Sequence, residues 1–448
     1  MEEPLSFYKV IAVLVVLGTI CIGMCIRDII RYQLRTIAGP MIALFASVHI
    51  YGYLIYPRAA KMPINEYRFD WEIYVQMGWA LALILCLLIG LMLLKKLLMP
   101  KDLRFLMTSR EIAPRPQLYQ LGFFVTIVYT LFFLIRKRSA IGELLTIIRS
   151  GDYMWYYEVR VQNIFDHAQS NPILNNLDSL IVGNLLMFLV GVLYYIGFKY
   201  RKFFPYYHLL LAFALLTTLI RFQKSPILQL MLLICLAYFF GRQFSIRRGF
   251  RFIKPILLTG VFLIAVVAVY VVLGFSGNIV GELHNRLFLS STLTSYAHFW
   301  TFPTHNGFLY YGGSRLFNLV LGFGQTPDLS LGLATPPLVS SYLYMGSMFN
   351  LNTSILGTAW AQNGYAGIFI ETMLFFGCFV FWDIVFARKL KRYPYEPVVI
   401  FFLMQFLVVL NNGALSLIGK GFIVIPVLYL ILFRPFSGGY GGGRPPMS

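Results

Sequence analysis

The chain has 448 residues, 58% of them apolar and only 12% charged, whereas about a quarter of an ordinary soluble domain is charged. A net charge of +19 raises the question of nucleic acid, but no basic cluster is interleaved with stacking aromatics on an amphipathic helix, and the aromatic residues lie within and beside apolar runs, as interfacial belts do. Nucleic-acid binders and soluble enzymes are thereby excluded, and one all-α, polytopic integral membrane domain is expected, with the lipid bilayer as its surroundings.

In chain order, apolar stretches of membrane-span length are expected at 7–26, 37–56, 72–94, 118–135, 178–198, 205–220, 227–241, 255–274, 366–387, 397–411 and 421–433, about eleven transmembrane helices. The first follows Glu2 and Glu3 and lacks a small-residue cleavage site, so it reads as a span and not as a cleavable signal peptide. After the fourth span, IGELLTII (141–148) has the period of a short amphipathic helix lying on the membrane. The irregular sequence falls in segments 57–71, 136–177, 221–226, 275–365 and 412–420, the fourth being a large external loop. Residues 1–436 thus form one transmembrane domain, and the Gly/Pro-rich tail 437–448 is expected to be disordered.

Twenty-three of the 37 basic residues, Lys95 and Lys96 among them, lie in alternate short links with five acids, which include Asp28 and Asp383. The other fourteen share their segments with twelve acids. The positive-inside rule makes the first set cytoplasmic, so the amino terminus and the irregular segments face outward and the carboxyl terminus inward. The cytoplasmic links are too short for an ATPase module, and no GxxxxGK[ST] pattern occurs, so chemistry is expected outside, without cytoplasmic ATP. All five cysteines lie inside apolar runs and read as small buried hydrophobes, with neither a disulfide framework nor a zinc site.

Three groups of outer residues carry candidate chemistry. Arg221 and Lys224, in the turn RFQKSP, would sit at the membrane surface where the diphosphate of a lipid carrier lies, although snorkelling cations read equally well there. In 136–167, Arg149 and Arg160 follow the amphipathic stretch beside Asp152 and Glu158, and Arg suits phosphate through its planar fork. Arg136, Lys137 and Arg138 read as membrane anchors. The third group, in 275–365, combines Glu282, His284, Arg286, His298, His305, Arg315 and Asp328 with Tyr296, Phe299, Trp300, Tyr310 and Tyr311. Aromatic faces that stack on sugar rings, beside polar groups for the hydroxyls, are what a glycan site needs. No metal is expected: Glu282, His284, His298 and His305 show no HExxH or i, i+4 spacing. An Asp-x-Asp dyad and a G-x-S-x-G elbow are absent as well.

At NTSILGTAWAQNGYAGIFIETMLFF (352–376) a Thr-containing stretch leads into a Gly-rich, aromatic turn that opens a span. With the amphipathic stretch ending in Arg149, Ser150 and Gly151, the cationic turn at Arg221 and the sequence RLFLSS from Arg286, the chain resembles the bacterial oligosaccharide repeat-unit polymerases, the Wzy-type O-antigen polymerases with their enterobacterial common antigen branch. The resemblance covers roughly residues 130–385. It implies a GT-C-like glycosyltransferase architecture in the bacterial inner membrane, no cofactor, and a chain-length regulator as partner. The implied reaction joins undecaprenyl-diphosphate-linked oligosaccharide units in blocks, with inversion and without a metal. Arg221, Arg286 and Arg315 are then the diphosphate candidates, with Arg149, Arg160 and Lys224 as further cations, and Glu282 or His284 the base; Tyr296 and Trp300 are candidates to bind glycan.

Three other readings stay open. An O-antigen ligase shares the donor chemistry. A flippase or secondary transporter would want charges inside its spans, where only Glu371 and Asp383 stand, both expected near span ends. A membrane acyltransferase would want a catalytic histidine in or beside a span, for which His49 and His208 are the candidates.

Overall fold

The structure, a computed structural model, describes residues 4–32, 35–59, 70–99, 112–150, 177–201, 203–220, 224–242, 288–303, 354–390, 393–411 and 420–435, with residues 174, 281, 284, 307, 308, 414 and 417. The expected span 255–274 and most of the expected loops lie outside the described residues.

Among the described residues, six helices are long and apolar enough to cross a membrane. They are α1 (Leu5–Tyr32), α2 (Ala38–Ala59), α3 (Trp71–Leu98), α4 (Pro116–Arg136), the helix whose π-helical opening Asp178–Leu185 continues as α6 (Leu186–Tyr200), and α10 (Ile355–Arg388). Shorter helices are α5 (Arg138–Ser150), α7 (Pro205–Leu219), α8 (Lys224–Gly241) and α9 (Ser290–Thr301), and the chain ends in α11 (Glu396–Met404), α12 (Phe406–Asn411) and α13 (Val424–Leu432). Local sequence explains several starts. Asp70 accepts the Glu72 amide at 2.7 Å ahead of α3, Ser354 accepts the Leu356 amide ahead of α10, and prolines open α4 and α7, where a missing amide hydrogen is harmless. Large apolar side chains face outward on α1 and α4, such as Val16, Phe124 and Ile135. Lipid is the solvent that suits such a surface.

The described contacts respect the charge-based division into two faces. Arg35 pairs with Glu396 at 3.7 Å, and strand β1 (Ile112–Pro114) pairs antiparallel with β2 (Phe433–Pro435), all within the basic set of segments. At the other end Arg136 pairs with Asp178, the Tyr296 hydroxyl takes the Asp70 amide at 2.9 Å, and the Trp360 indole donates to the Phe302 carbonyl at 2.8 Å. Each face therefore gathers at one end of the helices. The small sheet departs from an all-α expectation, and Arg136 is an ion-pair partner of Asp178 where a bare membrane anchor was expected.

Two expectations about spans are corrected. Residues 397–411 are not one continuous span, since α11 breaks at Gln405 and α12 is short; the expected 421–433 is a single short helix, α13, with residues 420–423 turning ahead of it. Ala414, expected in an external loop, gives its amide to Glu371 at 3.0 Å. Non-helical backbone at Asn363 and Gly364 divides α10, and Glu371 stands seven residues past Gly364 and seventeen before Arg388, nearer the start of the second segment than its end. Finally, part of the 275–365 segment is embedded. Phe288 and Thr292 meet α2 at Tyr51 and Gly52, while Tyr296 meets Tyr56. These pairs run in the same order on both helices, so α9 lies parallel to α2, docked among α2, α3 and α10. A Cβ on Gly52 would strike the Thr292 hydroxyl and the Phe288 carbonyl, which is why that close approach needs glycine.

Candidate functional site

Glu282, Arg286, Arg160, Arg221 and Arg315 lie outside the described residues. Lys224 opens α8, with only its backbone described. Arg149 is exposed in the last turn of α5, the amphipathic helix expected after the fourth span. Arg149 is not brought against any other candidate cation among the described residues.

His284 is the candidate whose surroundings are visible. Its Nε2 lies 3.1 Å from the Tyr51 hydroxyl, and its ring sits edge-on to Tyr51 and close to Phe288, with centroids 5.7 and 5.4 Å away. Tyr51 is exposed on α2, so this histidine stands at the margin of the bundle, where α9 enters it. If Nε2–H donates to the Tyr51 oxygen, Nδ1 is the free proton acceptor; the opposite tautomer reverses the roles.

Tyr296 is corrected. Its ring is fully buried against Tyr56 and Tyr74, and its hydroxyl bridges the backbone amide and carbonyl of Asp70. No ring face is left for a sugar, and burial pushes its phenol up to about 12. Tyr296 fastens α9 to the start of α3. Trp300 is half-buried against the apolar core.

The rest of α9 is unusually polar for a buried helix. Ser291, Thr294, His298 and Thr301 recur at helical spacing, and their hydroxyls or ring nitrogen donate to backbone carbonyls of their own helix. His298 Nδ1 contacts the Thr294 carbonyl at 2.7 Å, which makes that nitrogen the protonated one and leaves Nε2 a buried acceptor. Burial favours the neutral ring and pushes the His298 pKa down to about 4.

At the basic end, Lys95 is sealed between two carboxylates, with Nζ 2.7 Å from Asp28 and 2.8 Å from Asp383. Thr36 donates to Asp28 at 2.9 Å, the Tyr395 hydroxyl donates to Asp383 at 2.9 Å, and the Ile37 and Ala38 amides reach the same carboxylate at 2.8 and 3.0 Å. Asp383 thereby caps the amino-terminal end of α2 from another helix, where a negative charge meets the helix dipole. Lys95 and Asp28 were expected in solvated cytoplasmic links. Asp383 in FWDIV, flanked by apolar residues, was the available signal; the convergence of Asp28 and Asp383 on Lys95 was not.

A second polar group joins three helices. Gln405, at the break after α11, donates to Asn184 at 2.8 Å, and Gln229 of α8 donates to Gln405 at 3.3 Å. Asn184 lies in the π-helical stretch and Gly421 packs beside it. The π-helical stretch and the break after α11 therefore meet at one amide cluster. Among the described residues no three His, Cys, Asp or Glu side chains converge as metal ligands. No protein family, characterised protein or solved structure matches the chain.

Proposed function

We propose that the chain is a glycosyltransferase that polymerises undecaprenyl-diphosphate-linked oligosaccharide repeat units on the outer face of a bacterial inner membrane. The reading rests on the resemblance over residues 130–385, and the observation that best supports it is His284, held by Tyr51 where α9 docks. Glu282 and Arg286 are each two residues from it in the chain. The basic end of the bundle is then cytoplasmic and the α9 end external, within a GT-C-like architecture of about eleven spans.

In the proposed step the oxygen of a non-reducing-end hydroxyl on one lipid-linked unit attacks C1 of the reducing sugar of the growing chain. The bond from C1 to the diphosphate oxygen breaks, C1 inverts, and undecaprenyl diphosphate leaves. The leaving group needs little covalent help. It needs cations for the charge that develops on its oxygen, the role proposed for Arg286, Arg221 and Arg315. The hydroxyl proton passes to His284 or Glu282 as base. No metal is assigned to this step, and a chain-length regulator is the proposed partner.

Reconstituting the purified protein with lipid-linked repeat units tests the reading. Long chains should form without nucleotide or divalent metal, and Arg286→Ala should abolish growth at normal protein levels. Transfer only to lipid A core would instead make the chain an O-antigen ligase. One structural observation favours a second reading: Glu371, buried in α10, and the Lys95 cluster put more charge among the helices than the loops alone suggested, as a flippase for lipid-linked oligosaccharide would have. Passage of intact units across the bilayer with unchanged glycan length would decide for that reading.

A further inference from the structure

Glu371 is buried in α10 and belongs to none of the ion pairs among the described residues. Its Oε2 accepts the Ala414 amide at 3.0 Å. A bare carboxylate inside a bilayer is costly, by roughly 2.5–3.5 kcal/mol even on permissive insertion scales. Something must offset that charge.

The packing of α2 against α10 identifies the neighbours. The Ala38 amide meets Asp383, and the Phe45 ring meets Phe376 with centroids 5.2 Å apart. Seven residues forward on α2 thus match seven back on α10, so the helices are antiparallel in constant register. One turn further, the register puts His49 opposite Thr372. His49 stacks on Phe45 at 4.1 Å, and its Nδ1 donates to the Phe45 carbonyl at 2.9 Å, so Nε2 is a lone pair. That Nε2 and the Thr372 hydroxyl oxygen are both buried without a hydrogen-bond partner among the described residues. Glu371 is the residue next to Thr372.

The register therefore puts the Glu371 carboxylate, the Thr372 hydroxyl and His49 Nε2 at one level of the bundle, and among the described residues no side chain of another helix donates to them. Lys95 of α3 is engaged by Asp28 and Asp383, Asp383 itself being twelve residues along α10, about 18 Å away. His298 of α9 donates to Thr294, the hydroxyls of Tyr74 and Tyr296 to backbone oxygens, and Arg35 pairs with Glu396. Lys420 lies six residues beyond Ala414 in the chain.

We propose that Glu371, Thr372 and His49 form a site inside the bundle for one monovalent cation, either a proton or an alkali metal ion. All three groups supply electron pairs, and a single positive charge neutralises the carboxylate. Neither the polymerase nor the flippase reading is needed for the site to exist.

The test uses the full chain in detergent or nanodiscs and follows thermal unfolding. One arm replaces choline chloride by NaCl, LiCl or KCl at constant ionic strength and pH 8; the other varies pH from 8.5 to 5.5 in choline chloride alone. Binding to the folded state should raise the melting temperature saturably, in the first arm for an alkali ion and in the second for a proton. Glu371→Gln, which keeps an oxygen for Ala414, should abolish that response. His49→Phe, which keeps the stacking on Phe45, should weaken the apparent affinity several-fold. If Glu371→Gln and the wild type respond alike in both arms, the site holds only ordered water and the proposal fails.

Discussion

Lys95 and Glu371 are both charged side chains enclosed by the same helices, and the chain treats them in opposite ways. Around Lys95, α1, α2, α3 and α10 are continuous, and every charge meets an opposite charge or a hydrogen-bond donor from a neighbouring helix. Around Glu371 the chain is interrupted: α12 ends, residues 420–423 turn, and the carboxylate receives one backbone amide. A buried charge that is fully partnered holds helices together. One that is under-partnered, beside broken helices, has the character of a binding position.

Breaking the first region should have the largest effect. Lys95→Met leaves two carboxylates facing each other in an apolar interior and should destabilise the protein by about 3–5 kcal/mol, seen as a large fall in melting temperature. Adding Asp28→Asn and Asp383→Asn should recover much of it. Failure of the triple variant to recover would mean that the hydrogen-bond geometry, and not the charge balance, sustains this end.

His298 gives an intermediate effect with a defined pH window. Its ring is neutral when folded, with a pKa of about 4 against an ordinary value of 6.5. Between those values the unfolded chain binds more protons, so stability rises with pH there. Acidification from about pH 6.5 towards 4 should therefore cost on the order of 3 kcal/mol, and His298→Gln should flatten that slope in thermal unfolding. An unchanged slope would show that His298 Nε2 is already protonated or hydrated in the folded state.

Tyr296→Phe should have the smallest effect. It removes one hydroxyl that bridges two backbone groups of Asp70 and should cost about 1 kcal/mol. Glycan affinity measured on the variant should not change, since the ring is enclosed; a clear loss of affinity would restore Tyr296 to the sugar site.

Apolar run length determined the helical membrane character and most helix positions, because in lipid a segment must satisfy its own backbone hydrogen bonds and so must be helical, and amphipathic periodicity gave α5. Charge counting sorted the segments into two faces, and each contact traced between segments stays within one face. Periodicity could not show that 396–432 breaks into short helices, since an apolar run has the same composition whether it crosses or turns back. Nor could it place Tyr296, whose amphipathic ring suits a sugar face and a sealed helix contact equally. The partners of Lys95 are Asp28 and Asp383, far apart in the chain, and the level shared by His49 and Thr372 depends on the register of two helices, these two residues being more than 300 positions apart. Such convergence exists only once the helices have packed, because burial and partner, not residue type, decide what a polar side chain does.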